Sequence, residues 1–379
     1  MKYRNFGKLG LQGSAFGLGC MRFNGAASGD SIIDEQKAIS LIRRAIDGGV
    51  TYIDTAYVYL DRTSETVVGK ALRDGYRDRA TIATKMPMEY VHNRAEMEAL
   101  LAEELKKLQT DHIDFYLMHG INREKWETFK SIGAPEFFDD MKKAGKIRFK
   151  CFSFHGPYED FEAILRDYDW DMVQIQYNYM DVENQAGTKG LQLAGRLGIP
   201  VVIMEGLLGG RLAKAPDNVQ ALFDAFPVKR TPVEWAFRWL CNHPEVATVL
   251  SGCNEAWQID DNLRIFDTVE PGIMTAEELK LIDDVRAAYL SRTKIGCTGC
   301  RYCMPCPNGV NIPGAFSAWN NVSLYGVDPR QDWGFRMMLE KGETPDKCVG
   351  CGACEAACPQ HLGIIEGLQA AWKDLNADR

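Results

Sequence analysis

Between about residue 14 and residue 290 the chain repeats one pattern, a short apolar run followed by a longer amphipathic one. The short runs are Ala15–Cys20, Thr51–Asp54, Thr81–Lys85, Ile113–His119, Ile147–Ser153, Met172–Gln176, Val201–Met204 and Ala247–Leu250. They are rich in Ile, Val, Phe and Tyr, which suits strands buried on both faces. Helical spacing fills the gaps, as in Asp34–Asp47 and Arg94–Leu108. Thr231–Cys241 reads the same way, with Thr231 as cap and Pro232 at the first helical position. Eight strands alternating with helices over about 280 residues predict a (β/α)8 TIM barrel. A doubly wound open sheet shares the alternation, but the count of eight favours the barrel. A closing helix is expected at Thr275–Tyr289, so the barrel is assigned to residues 1–290.

Eight of the twelve cysteines lie beyond that point, in two runs. Cys297, Cys300, Cys303 and Cys306 precede Pro307; Cys348, Cys351, Cys354 and Cys358 precede Pro359. The second run has the C-x2-C-x2-C-x3-C-P spacing that holds [4Fe–4S] clusters, in which the fourth cysteine ligates the other cluster. Two clusters are therefore expected, held crosswise: Cys297, Cys300 and Cys303 with Cys358, and Cys348, Cys351 and Cys354 with Cys306. The first run shortens its last gap by one residue, which makes Cys306 the ligand to check. Gly299, Gly350 and Gly352 suit tight wrapping of backbone around sulfur. Disulfides need an oxidising compartment, and zinc typically takes two C-x2-C pairs rather than two four-cysteine runs. Helical patterns at Ile312–Leu324, Trp333–Glu340 and Gly363–Leu375 make 291–379 a small all-helical iron–sulfur domain. Cys20, Cys151, Cys241 and Cys253 are scattered and read as buried small residues.

Composition narrows the partners. Hydrophobic content of 46% and charged content of 25% are ordinary for a globular protein. A net charge of −8 argues against nucleic acid. The N-terminus lacks the long apolar region of a signal peptide, and no stretch reaches transmembrane length. The expectation is a cytoplasmic protein with no membrane contact.

Barrel enzymes work at the C-terminal ends of their strands. The expected strands end on Asp54, Lys85, His119 and Ser153; the sixth carries Gln174, and Tyr59 follows Asp54 in a loop. Singly, each has a structural explanation: a cap, a surface lysine, a satisfied core histidine. Polar and charged groups ending three successive buried strands are hard to explain as packing.

These residues fall in motifs that resemble the aldo-keto reductase family: Gly17-Leu18-Gly19-Cys20-Met21, Ile53-Asp54-Thr55-Ala56-x-x-Tyr59, Ala83-Thr84-Lys85 and Asp111-x-Ile113-Asp114-x-x-Leu117-x-His119. Gln258-x-x-x-Asn262 is similar to the family's adenosine-binding helix. The whole chain resembles the subgroup with a C-terminal pair of [4Fe–4S] clusters. The resemblance implies a catalytic tetrad of Asp54, Tyr59, Lys85 and His119. A free phenol has a pKa near ~10. A cationic Lys85, held by Asp54, is expected to lower that of Tyr59, the general acid–base group. His119 is expected to orient the carbonyl oxygen, and its presence, where the double-bond-reducing branch carries glutamate, favours C=O reduction.

For the cofactor, NADP or NAD, the resemblance puts Ser153 and Gln174 at the nicotinamide carboxamide. It puts Gly19 among the cofactor-binding residues, Cys20 and Met21 beside the nicotinamide ribose, and Met204 where a tyrosine often stacks on the ring. Gly209, Gly210 and Arg211 fall in the barrel's usual phosphate region, and Gln258 and Asn262 at the adenine end. Phe154 replaces the usual asparagine after Ser153. Gly252 and Gln258 stand where many members carry basic residues for the 2′-phosphate, so NADPH and NADH both stay open. Tyr57, Trp126 and Tyr179 are candidates for an apolar substrate mouth or for ordinary packing. Two functions follow. One is reduction of an aldehyde or ketone to an alcohol, or the reverse, on a small-molecule carbonyl or alcohol substrate. The other is electron transfer, in which the barrel docks or senses a nicotinamide for a redox partner protein.

Overall fold

The computed structural model describes residues 1–23 and 34–377 of the 379. The chain folds as two compact units, Met1–Gly209 with Val233–Ala276, and Gly210–Pro232 with Glu277–Arg379.

The first unit is a closed parallel barrel. A short antiparallel hairpin, β1 (Tyr3–Asn5) and β2 (Gln12–Ser14), precedes it. The barrel strands are β3 (Phe16–Gly19), β4 (Tyr52–Asp54), β5 (Thr81–Met86), β6 (Ile113–Ile121), β7 (Ile147–Phe154), β8 (Met172–Gln176), β9 (Val201–Met204) and β10 (Val246–Ser251). They pair in chain order and β10 closes on β3. All eight expected strands form, with ends moved by a residue or two, as strand ends generally are when hydrogen bonds rather than hydropathy define them. Buried Phe6, from the hairpin loop, packs against the Tyr52 and Phe115 rings at centroid distances of 6.0 and 5.6 Å. Phe149 stacks on Phe115 at 5.0 Å. These rings fill the N-terminal end of the barrel, leaving polar residues to the opposite rim. The hairpin escaped the hydropathy reading because three-residue strands are too short to show alternation.

Helices cover the barrel from outside. Asp34 caps Glu35–Asp47 by accepting from Lys37 N, and Asn93 caps Arg94–Leu108 by accepting from Glu96 N. In Pro232–Cys241 the proline stands at the first helical residue, where its missing N–H costs nothing.

The second unit is helical. It contains Asp217–Ala225, most of Ala276–Leu290, Ile312–Tyr325, Trp333–Lys341, Ala353–Ala356 and Ile364–Leu375. Its core gathers Val310, Ile312, Phe316, Trp319, Phe335, Met338, Ile364 and Leu368, with Cys297, Cys303, Cys306, Cys348 and Cys354 packed against it. The boundary expected at 290 separates the chain differently. Residues 210–232 join this unit through Arg230–Glu278 (2.6 Å), Asn218 donating to the Ala288 carbonyl (3.2 Å) and Arg292 donating to Asn218 (3.1 Å).

Candidate active site

Four side chains meet at the C-terminal ends of β4, β5 and β6. Lys85 Nζ lies 2.8 Å from both carboxylate oxygens of Asp54 and donates to the Thr55 carbonyl at 2.7 Å. Lys85 is 1% exposed and Asp54 3%. The ammonium stands 4.8 Å from the Tyr59 ring centroid, and the half-buried His119 ring is set edge-on to Tyr59 at 6.0 Å. Burial opposes the Lys85 charge, but Asp54 and then Tyr59 outweigh it and leave its pKa above the ordinary value. Burial likewise lifts Asp54 above the usual carboxylate value, against the pull of Lys85. What favours the ionised pair, against the desolvation of both groups, is their mutual attraction and the hydrogen bonds between them.

Tyr59 departs from the expectation. Burial raises its pKa above the usual phenol value; Lys85 pulls it down, by charge and by hydrogen bond, but less. The hydroxyl is thus a protonated donor at neutral pH. His119 is pushed down to about 3, by burial and then by the Lys85 charge. Its imidazole is neutral and carries one N–H to give.

A helix start holds this group together. Ser64 and Glu65, both fully buried, open the helix Ser64–Ala71. Ser64 Oγ donates to the Cys20 carbonyl (2.9 Å) and lies 2.8 Å from Thr55 Oγ1. Thr84 Oγ1 donates to Glu65 Oε1 at 2.7 Å. One turn of helix therefore grips residues at the ends of β3, β4 and β5, including both neighbours of the Lys85–Asp54 pair. The loop that carries Tyr59 continues through Leu60, Asp61 and Arg62 at φ 52, 49 and 67°, three left-handed non-glycine residues in succession. Strain of this kind is kept where surrounding structure over-determines it. The sequence reading missed Ser64 and Glu65, because a serine and a glutamate at a helix start look like ordinary capping residues.

The other expected residues divide. Ser153 Oγ accepts from Gly120 N at 2.8 Å. Gln174, 1% exposed, donates to Met204 Sδ at 3.6 Å, while its Oε1 is buried without a partner among the described residues. Gly19 lies at the end of β3; Cys20 is fully buried, its thiol pushed well up by burial, and Met21 is exposed. Gly209 adopts φ 67° and Gly210 φ 96°, a turn that requires glycine. Arg211 lies in the second unit, where its guanidinium donates to buried Asp332 at 3.0 Å. The cation beside the glycine turn is instead Arg22, unmarked by the sequence reading. A Cβ on Gly209 would stand 3.4 Å from Arg22 Nη2, and one on Gly252 would meet the Arg22 stem at 3.4 Å. Asn262 donates to Ser251 Oγ (3.1 Å) and Cys253 Sγ (3.2 Å). Gln258 accepts from Asn254 N (2.9 Å) and Glu255 N (3.1 Å), so its carbonyl completes a capping box.

Among the apolar candidates, Trp126 packs with Tyr168 and Trp170 and donates to Asp167 at 2.8 Å. Tyr57 bonds Glu103 at 3.1 Å beneath Arg62 and Lys107. Tyr179 sits edge-on to Trp239 at 6.3 Å. All three are buried packing residues.

In the second unit, two hollows lie among the cysteines. Cys297, Cys300, Cys303 and Cys358 line one. Cys306, Cys348, Cys351 and Cys354 line the other, together with Cys303. All eight are free thiols. Among the described residues no three His, Cys, Asp or Glu side chains converge as one metal ion requires. A cubane spreads its four thiolates over four irons and needs this wider cradle, so the donor set and its spacing fit [4Fe–4S] rather than zinc.

Fold and rim together define a (β/α)8 enzyme with an ion-paired lysine, a phenol and a neutral imidazole at its C-terminal mouth. Residues 15–287 match the family model for the aldo/keto reductase family, and residues 296–362 that for the 4Fe-4S dicluster domain. The chain belongs to the aldo/keto reductase family, and it is an oxidoreductase of that type with a C-terminal iron–sulfur domain. Aldo-keto reductase YhdN of Bacillus subtilis (strain 168) is 38% identical over 189 residues, which span 44% of this chain and 56% of that protein. The uncharacterized oxidoreductase YrpG of the same organism is 27% identical over 324 residues, 78% of this chain and 93% of that one. Among solved structures, aldo-keto reductase AKR11C1 from Bacillus halodurans (holo form) has a TM-score of 0.62 at 27% identity, covering 75% of this chain and 96% of its own. An aldo-keto reductase from Klebsiella pneumoniae in complex with NADPH has a TM-score of 0.59 at 26% identity, covering 75% and 95%. No helix among the described residues is long and apolar enough to cross a membrane.

Proposed function

We propose that this protein is an NAD(P)H-dependent reductase of aldehydes or ketones, working also in the oxidative direction, with Tyr59 as general acid–base group. The observation that carries the reading is the buried Lys85–Asp54 pair set against the Tyr59 ring, with His119 edge-on to the same ring. A bound reduced nicotinamide would supply hydride to the carbonyl carbon. Negative charge then grows on the carbonyl oxygen, and Tyr59 gives it a proton. Lys85 stabilises the phenolate left behind, and Asp54 holds Lys85 charged and in position. Neutral His119 donates an N–H to the same oxygen.

The unpartnered Gln174 Oε1 is an acceptor suited to a carboxamide N–H, and Ser153 lies across the β7–β8 register from it. Arg22 beside the Gly209 turn suits a pyrophosphate. The similar protein from Klebsiella pneumoniae, bound to NADPH, supports NADP as the nucleotide. We assign the reductase sequence domain to 1–290 and the iron–sulfur domain to 291–379, in keeping with the family matches over 15–287 and 296–362, although 210–232 and 277–290 belong to the helical compact unit. Its two clusters are held crosswise, Cys358 joining the first run and Cys306 the second, as the two hollows support. Thiolates kept for clusters suit the reducing cytoplasm. Purified protein should oxidise NAD(P)H only with an aldehyde or ketone present, and Tyr59→Phe should lose at least ~100-fold in kcat while its tryptophan fluorescence is still quenched by added NAD(P)H. A Tyr59→Phe rate equal to the parent's would sink the assignment.

A second reading is electron transfer to or from a redox partner protein. Exposed Cys300 and Cys351, one in each run, favour it. It requires cluster reduction by a ferredoxin-type carrier and slow turnover of free carbonyls; fast turnover with no carrier-dependent reduction rules it out.

A further inference from the structure

The two cysteine runs are one element used twice. Cys297-Thr298-Gly299-Cys300-Arg301-Tyr302-Cys303 corresponds position by position to Cys348-Val349-Gly350-Cys351-Gly352-Ala353-Cys354. Their backbones correspond too. Gly299 and Gly350 share φ 69°, and the residue after the second cysteine is left-handed in both, at 65° for Arg301 and 77° for Gly352. Glycine is the natural occupant of that position, and a side chain with a Cβ is disfavoured there. One half of the repeat has accepted strain that the other avoids, and strain kept at a site invites a functional reading.

The charge of Arg301 supplies that reading. Among the described residues, Arg301 is the only charged residue lining the hollow of Cys297, Cys300, Cys303 and Cys358. Among the described residues, no charged residue lines the hollow of Cys306, Cys348, Cys351 and Cys354. A cubane on four thiolates is an anion and becomes more negative when reduced, so a neighbouring cation favours the reduced form. Each hollow has one exposed ligand, Cys300 or Cys351; the remaining ligands are half-buried except Cys358 of the first hollow, which is buried.

We infer that Arg301 makes the cluster of Cys297, Cys300, Cys303 and Cys358 the easier of the two to reduce, so that an electron shared between the clusters rests there. The step is balanced internally: one electron leaves the cluster of the second hollow, which is oxidised, and enters that of the first, which is reduced. No bond or proton moves. The inference rests on the crosswise two-cluster reading.

The test is a potentiometric titration of the full chain, reconstituted without oxygen, reduced with dithionite and followed by electron paramagnetic resonance. Iron and sulfide analysis comes first: fewer than two cubanes per chain would overturn the underlying cluster reading, separately from the role of Arg301. With two clusters present, Arg301→Gly should lower the more positive midpoint by a tenfold change in the one-electron equilibrium, ~59 mV, and leave the other in place. The effect should shrink with added salt, because Arg301 is exposed. Gly352→Arg, where a Cβ would meet nothing within 4 Å, should raise the more negative midpoint. Arg301→Gly should fold, since it restores glycine to a left-handed position. If it leaves both midpoints unchanged, or moves both equally, the inference falls.

Discussion

At the scale of single residues the site depends on which groups carry protons. His119, held to about 3, is neutral throughout the range where proteins are assayed. The profile of kcat/KM for carbonyl reduction should therefore be flat between pH 6 and 8, with no limb near the ordinary histidine value of ~6.5. A limb there, lost in His119→Asn, would show the imidazole titrating. The same depression makes a stability prediction of definite sign. The folded chain keeps His119 unprotonated while the unfolded chain protonates it below ~6.5, so stability is lost as pH falls from there towards about 3. Urea titrations at stepped pH should show His119→Asn losing stability less steeply over that window, by up to ~1.4 kcal/mol per pH unit. Lys85→Met would strand Asp54 as an unpaired buried charge and should cost about 3–5 kcal/mol, read as a lower urea midpoint.

At the scale of elements the helix start at Ser64 and Glu65 is a positioning device, and it can be tested apart from the chemistry. Glu65→Leu removes the acceptor of Thr84 Oγ1, one residue from Lys85, and leaves a buried hydroxyl unpaired. It should cost about 1–3 kcal/mol of stability and lower kcat with little change in KM. Glu65→Gln keeps an acceptor in place and should restore kcat; a Leu variant as active as the parent would leave Glu65 with a packing role only. This part of the site was hidden in the sequence because its contacts join residues up to 44 positions apart through common capping side chains. The strands were legible, since residues buried on both faces leave continuous apolar runs. Asp54, Lys85 and His119 were legible as polar residues that interrupt those runs at one end. Gln258 and Arg211 were legible by position only. Whether a carbonyl caps its own helix, or a guanidinium turns to Asp332, depends on neighbours that a linear pattern does not contain.

At the scale of the whole molecule the two units draw stability from different sources. The barrel closes its sheet and buries a large apolar core between strands and helices. The second unit has a core of little more than a dozen buried residues, with cysteines packed against it. Its cluster loops, 296–311 and 348–352, contain no regular helix or strand. Short loops of that kind have few backbone hydrogen bonds to replace the bonds to iron, so cluster binding and folding of this unit should be linked. Chelating the iron under oxidant should expose the amides of Ile312–Tyr325 and Ile364–Leu375 to hydrogen exchange, while β5 to β8 keep their protection. The tetrad lies wholly in the barrel unit, so Tyr59-dependent carbonyl turnover should persist in the iron-free protein. If exchange rises equally in both units and turnover is lost together with iron, the clusters hold the barrel in its active form; if only the second unit opens, they serve electron flow or the local fold of their own domain.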